Sequence, residues 1–333
     1  MTKIMPGIHQ FKIPIPNNPL ENTNCYLVQG DDGYLLIDPG VNNDGAFDAL
    51  EKGLTEIGVA FTEITRILAT HSHGDHYGLT TRVKQLSQAK VMVHHLVRDQ
   101  IQLMATNMEE RGRQMEQWLR LNGVPNLTPA EFQMVASRLP MFINTTMPDV
   151  VLQDGETITV GSFSFKVLWT PGHDPGHICL YESNQKLLFS GDHVLPSITP
   201  HVALQGQNQL SSNPLGDFLN SLNIVKQLDV NLVLPAHEQT FTNLQTRIEA
   251  IVEHHETRND EILTALKTQA KTTYEISTEI MWMRDVGARP FRDLTPMDKR
   301  MAVTEALAHM EAMRIDGRVE KLQRDSIIYY QRT

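Results

Sequence analysis

Cysteine is scarce in this chain, and positive charge is outnumbered by negative charge. Only Cys25 and Cys179 are present, too few for a disulfide framework, and both lie in apolar runs that favour small buried side chains. The 29 Lys and Arg against 39 Asp and Glu give a formal net charge of -10. Phosphate contacts need clustered Lys and Arg, so this balance excludes a polyanion-binding surface over the whole chain.

The sequence also has no apolar run long enough to span a bilayer, and it does not open with a basic segment followed by an apolar signal core. We therefore expect a cytoplasmic protein without a membrane partner. Hydrophobic residues make up 41% and charged residues 20%, which is typical of a globular enzyme. Because 333 residues exceed the length at which one hydrophobic core usually stops growing, we expect two domains.

The densest chemical signal is the segment 70–76, which reads THSHGDH. It follows a short apolar run that predicts a buried strand. His71 and His73 can point to the same side of an extended segment. Asp75 and His76 follow the turn that the intervening glycine allows, and they can face a second point nearby. The spacing therefore indicates a two-metal site on a loop at a strand end.

Three later segments repeat the pattern of a strand-like run that ends in His or Asp. They are 170–177 (TPGHDPGH), 191–193 (GDH) and 235–238 (PAHE). Open α/β architectures place their chemistry at the carboxyl ends of strands, so we expect these loops and the segment 70–76 to meet at one rim. The alternation of strands and helices predicts a layered α/β domain.

Helix-forming residues without strand-like alternation fill residues 96–145, which predicts a helical insert rich in methionine. Two interpretations stay open. The apolar side chains of the insert either pack it onto the domain, or they form a lid that lines an apolar substrate pocket.

These motifs resemble those of the metallo-β-lactamase-fold hydrolases, in particular the glyoxalase II-like branch. The signature H-x-H-x-D-H corresponds to residues 71–76. The TPGH loop supplies His173, the Gly-Asp turn supplies Asp192, and the late strand end supplies His237. Asp38-Pro39-Gly40 resembles the first motif of the family. The resemblance covers the part of the chain up to residue 237 and implies an αββα sandwich, with two mixed sheets face to face and helices outside.

The resemblance also implies two divalent metal ions and seven ligands: His71, His73 and His173 for one metal, Asp75, His76 and His237 for the other, and Asp192 as a bridge. Imidazole and carboxylate suit zinc, which we expect, and leave iron and manganese open. A hydroxide between two such metals is a strong nucleophile because the metals lower the pKa of water. Asp75 is then the expected catalytic residue, since it can also orient that hydroxide.

Helical runs at 248–270 and 302–313, followed by two strand-like runs, end the sequence. This order resembles the winged-helix tail of some metallo-β-lactamase-like proteins, which include an RNA-cleaving member. We therefore expect a catalytic domain over 1–247 and a helical or winged-helix domain over 248–333. Residues 254–333 contain 13 Lys plus Arg and 13 Asp plus Glu. Such a neutral segment does not favour nucleic-acid binding and suits a packing or homodimerisation module.

The leading hypothesis is a dinuclear metal-dependent hydrolase whose metal-bound hydroxide attacks the carbonyl of a small-molecule ester, thioester or lactone. Three alternatives stay open: a metal-dependent phosphodiesterase or endoribonuclease, an iron persulfide dioxygenase, and a non-enzymatic metal-sensing DNA-binding protein. Asp174 stands where the glyoxalase II-like loop has Thr or Ser, which speaks against a glutathione thioester. The substrate itself is not readable, because pocket residues follow no spacing rule.

Overall fold

The computed structural model describes residues 1–126, 144–204, 211–283 and 287–333, together with positions 128, 131 and 285. The chain forms two compact units, each built from several segments. Unit 1 contains Met1–Thr106, Arg138–Pro196 and Gln227–Leu244, and unit 2 contains Asn107–Ser137, Ser197–Lys226 and Gln245–Thr333. The division into domains at residue 247 stays a prediction, and most of the later half of the predicted insert lies outside the described residues.

Two β-sheets form the frame of unit 1. In the first sheet each strand pairs with the next one along the chain: β1 (Thr2–Met5), β2 (Ile8–Pro14), β3 (Asn22–Gln29), β4 (Tyr34–Ile37), β5 (Ile64–Leu68), β6 (Lys90–His94) and β7 (Val150–Leu152). Strands β1 to β4 pair antiparallel, and β4 to β7 pair parallel.

The second sheet has the spatial order β12-β11-β10-β9-β8. Its strands are β8 (Thr157–Val160), β9 (Phe163–Trp169), β10 (Ile178–Glu182), β11 (Leu187–Gly191) and β12 (Leu232–Pro235). All pairs are antiparallel except β11 with β12, which is parallel. The parallel pair lets β11 and β12 end at the same edge of the sheet.

A hydrophobic core shared by both sheets shows that they face each other. Tyr26 and Leu68 of the first sheet and Phe165 and Phe189 of the second belong to it. The rings of Tyr26 and Phe189 meet edge to face, with their centroids 5.1 Å apart. Burial of this apolar surface, which both sheets contribute, holds the sandwich together.

A second core covers the opposite face of the first sheet. Helices α1 (Asp44–Glu56) and α3 (Thr80–Ser87) pack there, through residues such as Leu50 and Val83, against Leu27 and Val91 of the strands. Successive residues of a strand point to opposite faces, so a strand covered on both sides is apolar throughout. The predicted mixed α/β fold is confirmed, and both cysteines are free and buried.

Helices α2 (Gly74–Tyr77) and α4 (His95–Leu121) follow strand ends, and α4 covers the first part of the predicted insert, whose extent stays a prediction. The remaining elements are α5 (Pro214–Lys226), α6 (Leu244–Ala265), α7 (Thr273–Glu279), β13 (Met281–Trp282), β14 (Arg289–Pro290), α8 (Pro296–Ile315), β15 (Val319–Arg324) and β16 (Ile327–Arg332). The predicted order of helices followed by a hairpin is present, while a winged-helix domain stays a prediction. Within the described ranges, no helix is long and apolar enough to cross a membrane.

Candidate metal centre

Loops at the carboxyl ends of four strands bring the predicted ligands together in unit 1. The first ligand loop (residues 70–76) follows β5, and the second (residues 170–177) follows β9. Asp192 comes directly after β11, and His237 lies two residues beyond the end of β12. The seven side chains form two groups whose ligand atoms lie within 4.8 Å of one another: His71, His73, His173 and Asp192 in one, and Asp75, His76 and His237 in the other.

The carboxylate of Asp192 faces both groups. Its Oδ2 lies 3.5 Å from Nε2 of His173 and 3.5 Å from Nε2 of His76. Its Oδ1 lies 3.3 Å from Nε2 of His237. A carboxylate with one oxygen near each group has the position that a bridging ligand requires.

Three buried nitrogen atoms point into this space without a hydrogen-bond partner among the described residues. They are the Nε2 atoms of His71, His76 and His237, whose residues are 0% exposed. A buried polar atom that lacks a partner costs free energy, and a bound cation would satisfy all three. The donor set of imidazoles and carboxylates without thiolate fits zinc, iron or manganese.

Charges in the centre act differently on the two groups of imidazoles. Burial, followed by the neighbouring imidazoles, lowers the pKa of His71 well below its usual value, so this ring is held in the neutral form that binds metal. Burial also lowers the pKa of His76, but the carboxylates of Asp192, Asp38 and Asp75 together raise it well above the usual value. The carboxylates thus favour positive charge beside His76, which a metal ion also supplies.

Asp192 itself is held ionised by its surroundings. Burial alone raises the pKa of this carboxyl group, but the imidazoles of His237 and His76 outweigh that effect and hold the pKa well below its usual range. Conversely, Asp192 overcomes the effect of burial and raises the pKa of His237. A permanent negative charge therefore lies between the two groups, where a cation would compete with protons for the imidazoles.

Hydrogen bonds behind the centre fix the direction of two imidazoles. Nδ1 of His76 lies 3.0 Å from Oδ2 of Asp38, and Nδ1 of His237 donates to the carbonyl oxygen of Asn22 at 2.8 Å. Asp38 also accepts hydrogen bonds from the backbone N–H and the hydroxyl of Thr70. Each contact at Nδ1 leaves Nε2 directed at the centre. Asp38 lies in the segment that resembles the first motif of the family, whereas the carbonyl of Asn22 was missed because a backbone oxygen carries no residue signature.

A polar contact joins both ligand loops to the first turns of α4. Oγ of Ser72 lies 2.5 Å from a carboxylate oxygen of Asp174 and 2.5 Å from the side-chain amide of Gln100. Serine has one hydroxyl hydrogen, so we expect Ser72 to donate to Asp174 and the amide of Gln100 to turn its NH₂ toward Ser72. The other oxygen of Asp174 accepts from the backbone N–H of Gly176. The residue that departs from the glyoxalase II-like pattern therefore orders both ligand loops.

The centre is closed on one side and more open on the other. His71, His76 and His237 are fully buried, whereas His73, Asp75 and His173 are half-buried as whole residues, with 13% of the Asp75 side chain and 7% of the His173 side chain exposed. A substrate would therefore approach from the side of the half-buried residues. Asp75, whose carboxylate lies 3.8 Å from Nε2 of His76 and 3.6 Å from Nε2 of His237, stands at this open side.

Comparison with protein families gives one match that spans all the candidate ligands. The family model described as Metallo-beta-lactamase superfamily matches residues 18–237. The match therefore includes both sheets from β3 onward and ends at the last candidate ligand.

Matches to individual proteins cover between about two thirds and nearly all of the chain. The "Probable metallo-hydrolase YqjP" of Bacillus subtilis is 24% identical over 307 residues, which cover 92% of this chain and 92% of that protein. The human "Acyl-coenzyme A thioesterase MBLAC2" is 28% identical over 231 residues, 66% of this chain and 74% of that protein. The crystal structure of a metallo-beta-lactamase family protein from Thermus thermophilus matches with a TM-score of 0.82 at 29% identity, covering 99% of this chain and 100% of that one.

Proposed function

This chain belongs to the metallo-beta-lactamase superfamily, and from that premise we propose that it is a dinuclear metal-dependent hydrolase that cleaves acyl thioesters. The observation that carries the proposal is the pair of ligand groups that both face Asp192. The choice of a thioester over an ester or a lactone is supported by the similarity to a human protein named as an acyl-coenzyme A thioesterase. Zinc is the metal we expect, and the donor set of imidazole and carboxylate also suits iron or manganese.

Two divalent cations held by these residues would supply a water-derived nucleophile at neutral pH and would polarise the substrate carbonyl. The side chains of this chain would position the metals and the attacking water. Asp192 faces both ligand groups, and Asp75 stands at the open side, where its carboxylate can accept a hydrogen bond from the attacking water and orient it. Hydrolysis adds water across the bond between carbonyl carbon and sulfur, so a carboxylate and a thiol leave the site.

The test uses the full chain loaded with zinc. Elemental analysis should give two metal ions per chain, and a panel of acyl thioesters, oxygen esters and lactones should show hydrolysis of the thioesters. In Asp192→Ala we expect loss of metal and a fall in activity of about 100-fold or more. This exceeds the effect of removing a residue that only hydrogen-bonds to a metal ligand, because Asp192 is itself a proposed ligand. Asp48→Ala, which removes an exposed carboxylate on α1, is the matched control and should leave both unchanged.

The outcomes separate the parts of the proposal. Two bound metals without hydrolysis of any thioester would remove the substrate assignment, and a single bound metal would remove the dinuclear centre. Cleavage of single-stranded RNA that is lost in Asp192→Ala would favour the phosphodiesterase instead. In the protein as purified, before zinc is added, one bound iron with uptake of oxygen would favour the persulfide dioxygenase.

A further inference from the structure

The second ligand loop contains a further histidine, His177, that belongs to neither ligand group. Its side chain is fully buried, and its Nε2 accepts a hydrogen bond of 3.1 Å from the backbone N–H of Asp192. A backbone N–H can only donate, so Nε2 of His177 carries the lone pair. Nε2 therefore carries no hydrogen, and the hydrogen of the neutral ring is on Nδ1, which faces Oγ1 of Thr170.

The tautomer of His177 sets the direction of three further hydrogen bonds. Nδ1 donates to Oγ1 of Thr170 at 2.8 Å. The hydroxyl of Thr170 can then donate to Sγ of Cys179 at 3.4 Å, and the thiol donates to the carbonyl oxygen of Ser190 at 3.5 Å. Burial raises the pKa of Cys179 to about 12, so the thiol keeps its hydrogen. This series of hydrogen bonds runs from the backbone N–H of Asp192 to the carbonyl oxygen of Ser190, two residues earlier, and each hydrogen in it is used once.

The turn between Ser190 and Asp192 is shaped to receive this imidazole. Gly191 has a φ of 51°, and a Cβ atom at this position would lie only 2.5 Å from Nε2 of His177. Glycine is therefore needed both for the left-handed backbone and for the close approach of the ring. The carbonyl oxygen of Gly191 also accepts a hydrogen bond from the backbone N–H of Ala236, the residue before His237.

We propose that His177 is a positioning residue that holds the backbone of Asp192, so that its carboxylate faces both ligand groups. The inference rests on the proposed function, in which Asp192 binds both metals. His177 contacts the backbone of Asp192 and acts on the metals only through that residue. Contacts that orient a metal ligand in this way contribute about 10- to 100-fold to metal affinity when they are removed.

The test compares three substitutions in the full chain, with zinc affinity measured by competition against a chromophoric chelator. His177→Leu removes the acceptor and should weaken zinc binding about 10- to 100-fold. His177→Gln places a carbonyl oxygen near the position of Nε2 and should stay close to the wild type. His94→Leu removes another buried imidazole of the same unit, one stacked on Trp169, and should leave zinc affinity unchanged.

A double-mutant cycle distinguishes positioning from general support of the fold. If His177 acts through Asp192, the loss caused by His177→Leu should disappear when Asp192 is already alanine. An equal loss in both backgrounds would overturn the inference, as would unchanged affinity in His177→Leu when Asp192→Ala alone weakens binding. If Asp192→Ala alone leaves zinc affinity unchanged, the proposed function and this inference both fall. Should His177→Leu not fold, His177→Asn, whose shorter amide does not reach the N–H, takes its place in the same comparison with His177→Gln.

Discussion

Single residues outside the ligand groups decide how the imidazoles point. Asp38 receives two hydrogen bonds from Thr70 and lies 3.0 Å from Nδ1 of His76. It also has a φ of 52°, an uncommon backbone conformation for a residue other than glycine, which persists where the surrounding contacts fix it. Directly after β4, Asp38 therefore adopts a strained backbone conformation and at the same time orients the imidazole of His76.

Asp38→Asn should weaken metal binding while leaving the fold in place. The amide keeps an oxygen for Thr70 but loses the negative charge beside His76, so the imidazole is less firmly oriented. We expect zinc affinity to fall about 10- to 100-fold in a chelator competition experiment. Asp48→Asn, an exposed change on α1, is the control. Equal affinity in both variants would show that the contact between Asp38 and His76 has no effect on the metals.

His237→Ala and His76→Ala should have similar effects on metal content, although the two residues are far apart in the sequence. Both contribute a buried Nε2 atom to the second ligand group, and both face Asp75 and Asp192. We expect each variant to keep about one metal ion per chain, because the first group stays complete. Elemental analysis checks this result, and a variant that keeps two metals would remove its histidine from the proposed ligands.

At the residue level, the sequence predicted the candidate metal ligands better than the groups that form hydrogen bonds with the ligands and their loops. Histidine and aspartate in a dense motif carry a recognisable pattern, so the side chains that meet in the structure were all named in advance. The carbonyl of Asn22 and the amide of Gln100 were missed. The first is a backbone atom that every residue has, and the second comes from a helix whose approach to Ser72 depends on tertiary packing.

Among the elements, helix α4 has the most direct effect on the ligand loops. Its first turns place Gln100 beside Ser72, the residue between His71 and His73. The predicted role of the insert as a substrate lid remains untested, but this contact already connects the beginning of the insert with the centre. The sequence predicted the helix from its composition, and only the fold shows which of its side chains reaches the loop.

Gln100→Ala should loosen the first ligand loop. The substitution removes the hydrogen bond of a partly buried pair, worth about 0.5 to 1.5 kcal/mol, and leaves Ser72 bound to Asp174 alone. We expect faster hydrogen exchange of the backbone amides of residues 71–76 and little change elsewhere in unit 1. Gln85→Ala, which shortens an exposed glutamine of α3 in the same unit, provides the comparison. Identical exchange in the two variants would mean that α4 does not restrain the loop.

On the scale of the whole molecule, the candidate centre depends on the correct pairing of both sheets. The first ligand loop follows the first sheet, while His173, Asp192 and His237 follow strands of the second. The order of strands that brings β9, β11 and β12 to one edge is a long-range property, which local patterns do not specify. Neither ligand group is complete without both sheets, so metal binding reports on the folding of unit 1 as a whole.

Unit 2 contains a buried pair of histidines, His255 and His309, that makes the stability of the protein depend on pH. Nδ1 of His309 donates to Oδ1 of Asn259 at 2.7 Å, so its Nε2 is free to accept from Nδ1 of His255 at 3.3 Å. Burial lowers the pKa of His255 to about 3 and the pKa of His309 well below its usual value. Both rings are therefore neutral in the folded chain at pH values where an unfolded chain already binds protons.

The free energy of unfolding should consequently fall as the pH drops below about 6.5, by about 1.4 kcal/mol per pH unit for each of the two histidines, until the folded pKa is reached. His255→Phe removes one of the two titrating imidazoles and keeps a ring of similar size against Phe218. Denaturant unfolding from pH 8 to pH 5 tests this, because the titration of groups distant from this pair cancels in the difference between wild type and variant. That difference should be constant above about pH 7.5 and shift in favour of the variant below pH 6.5. Parallel curves over the whole range would show that His255 is protonated equally in the folded and unfolded chains.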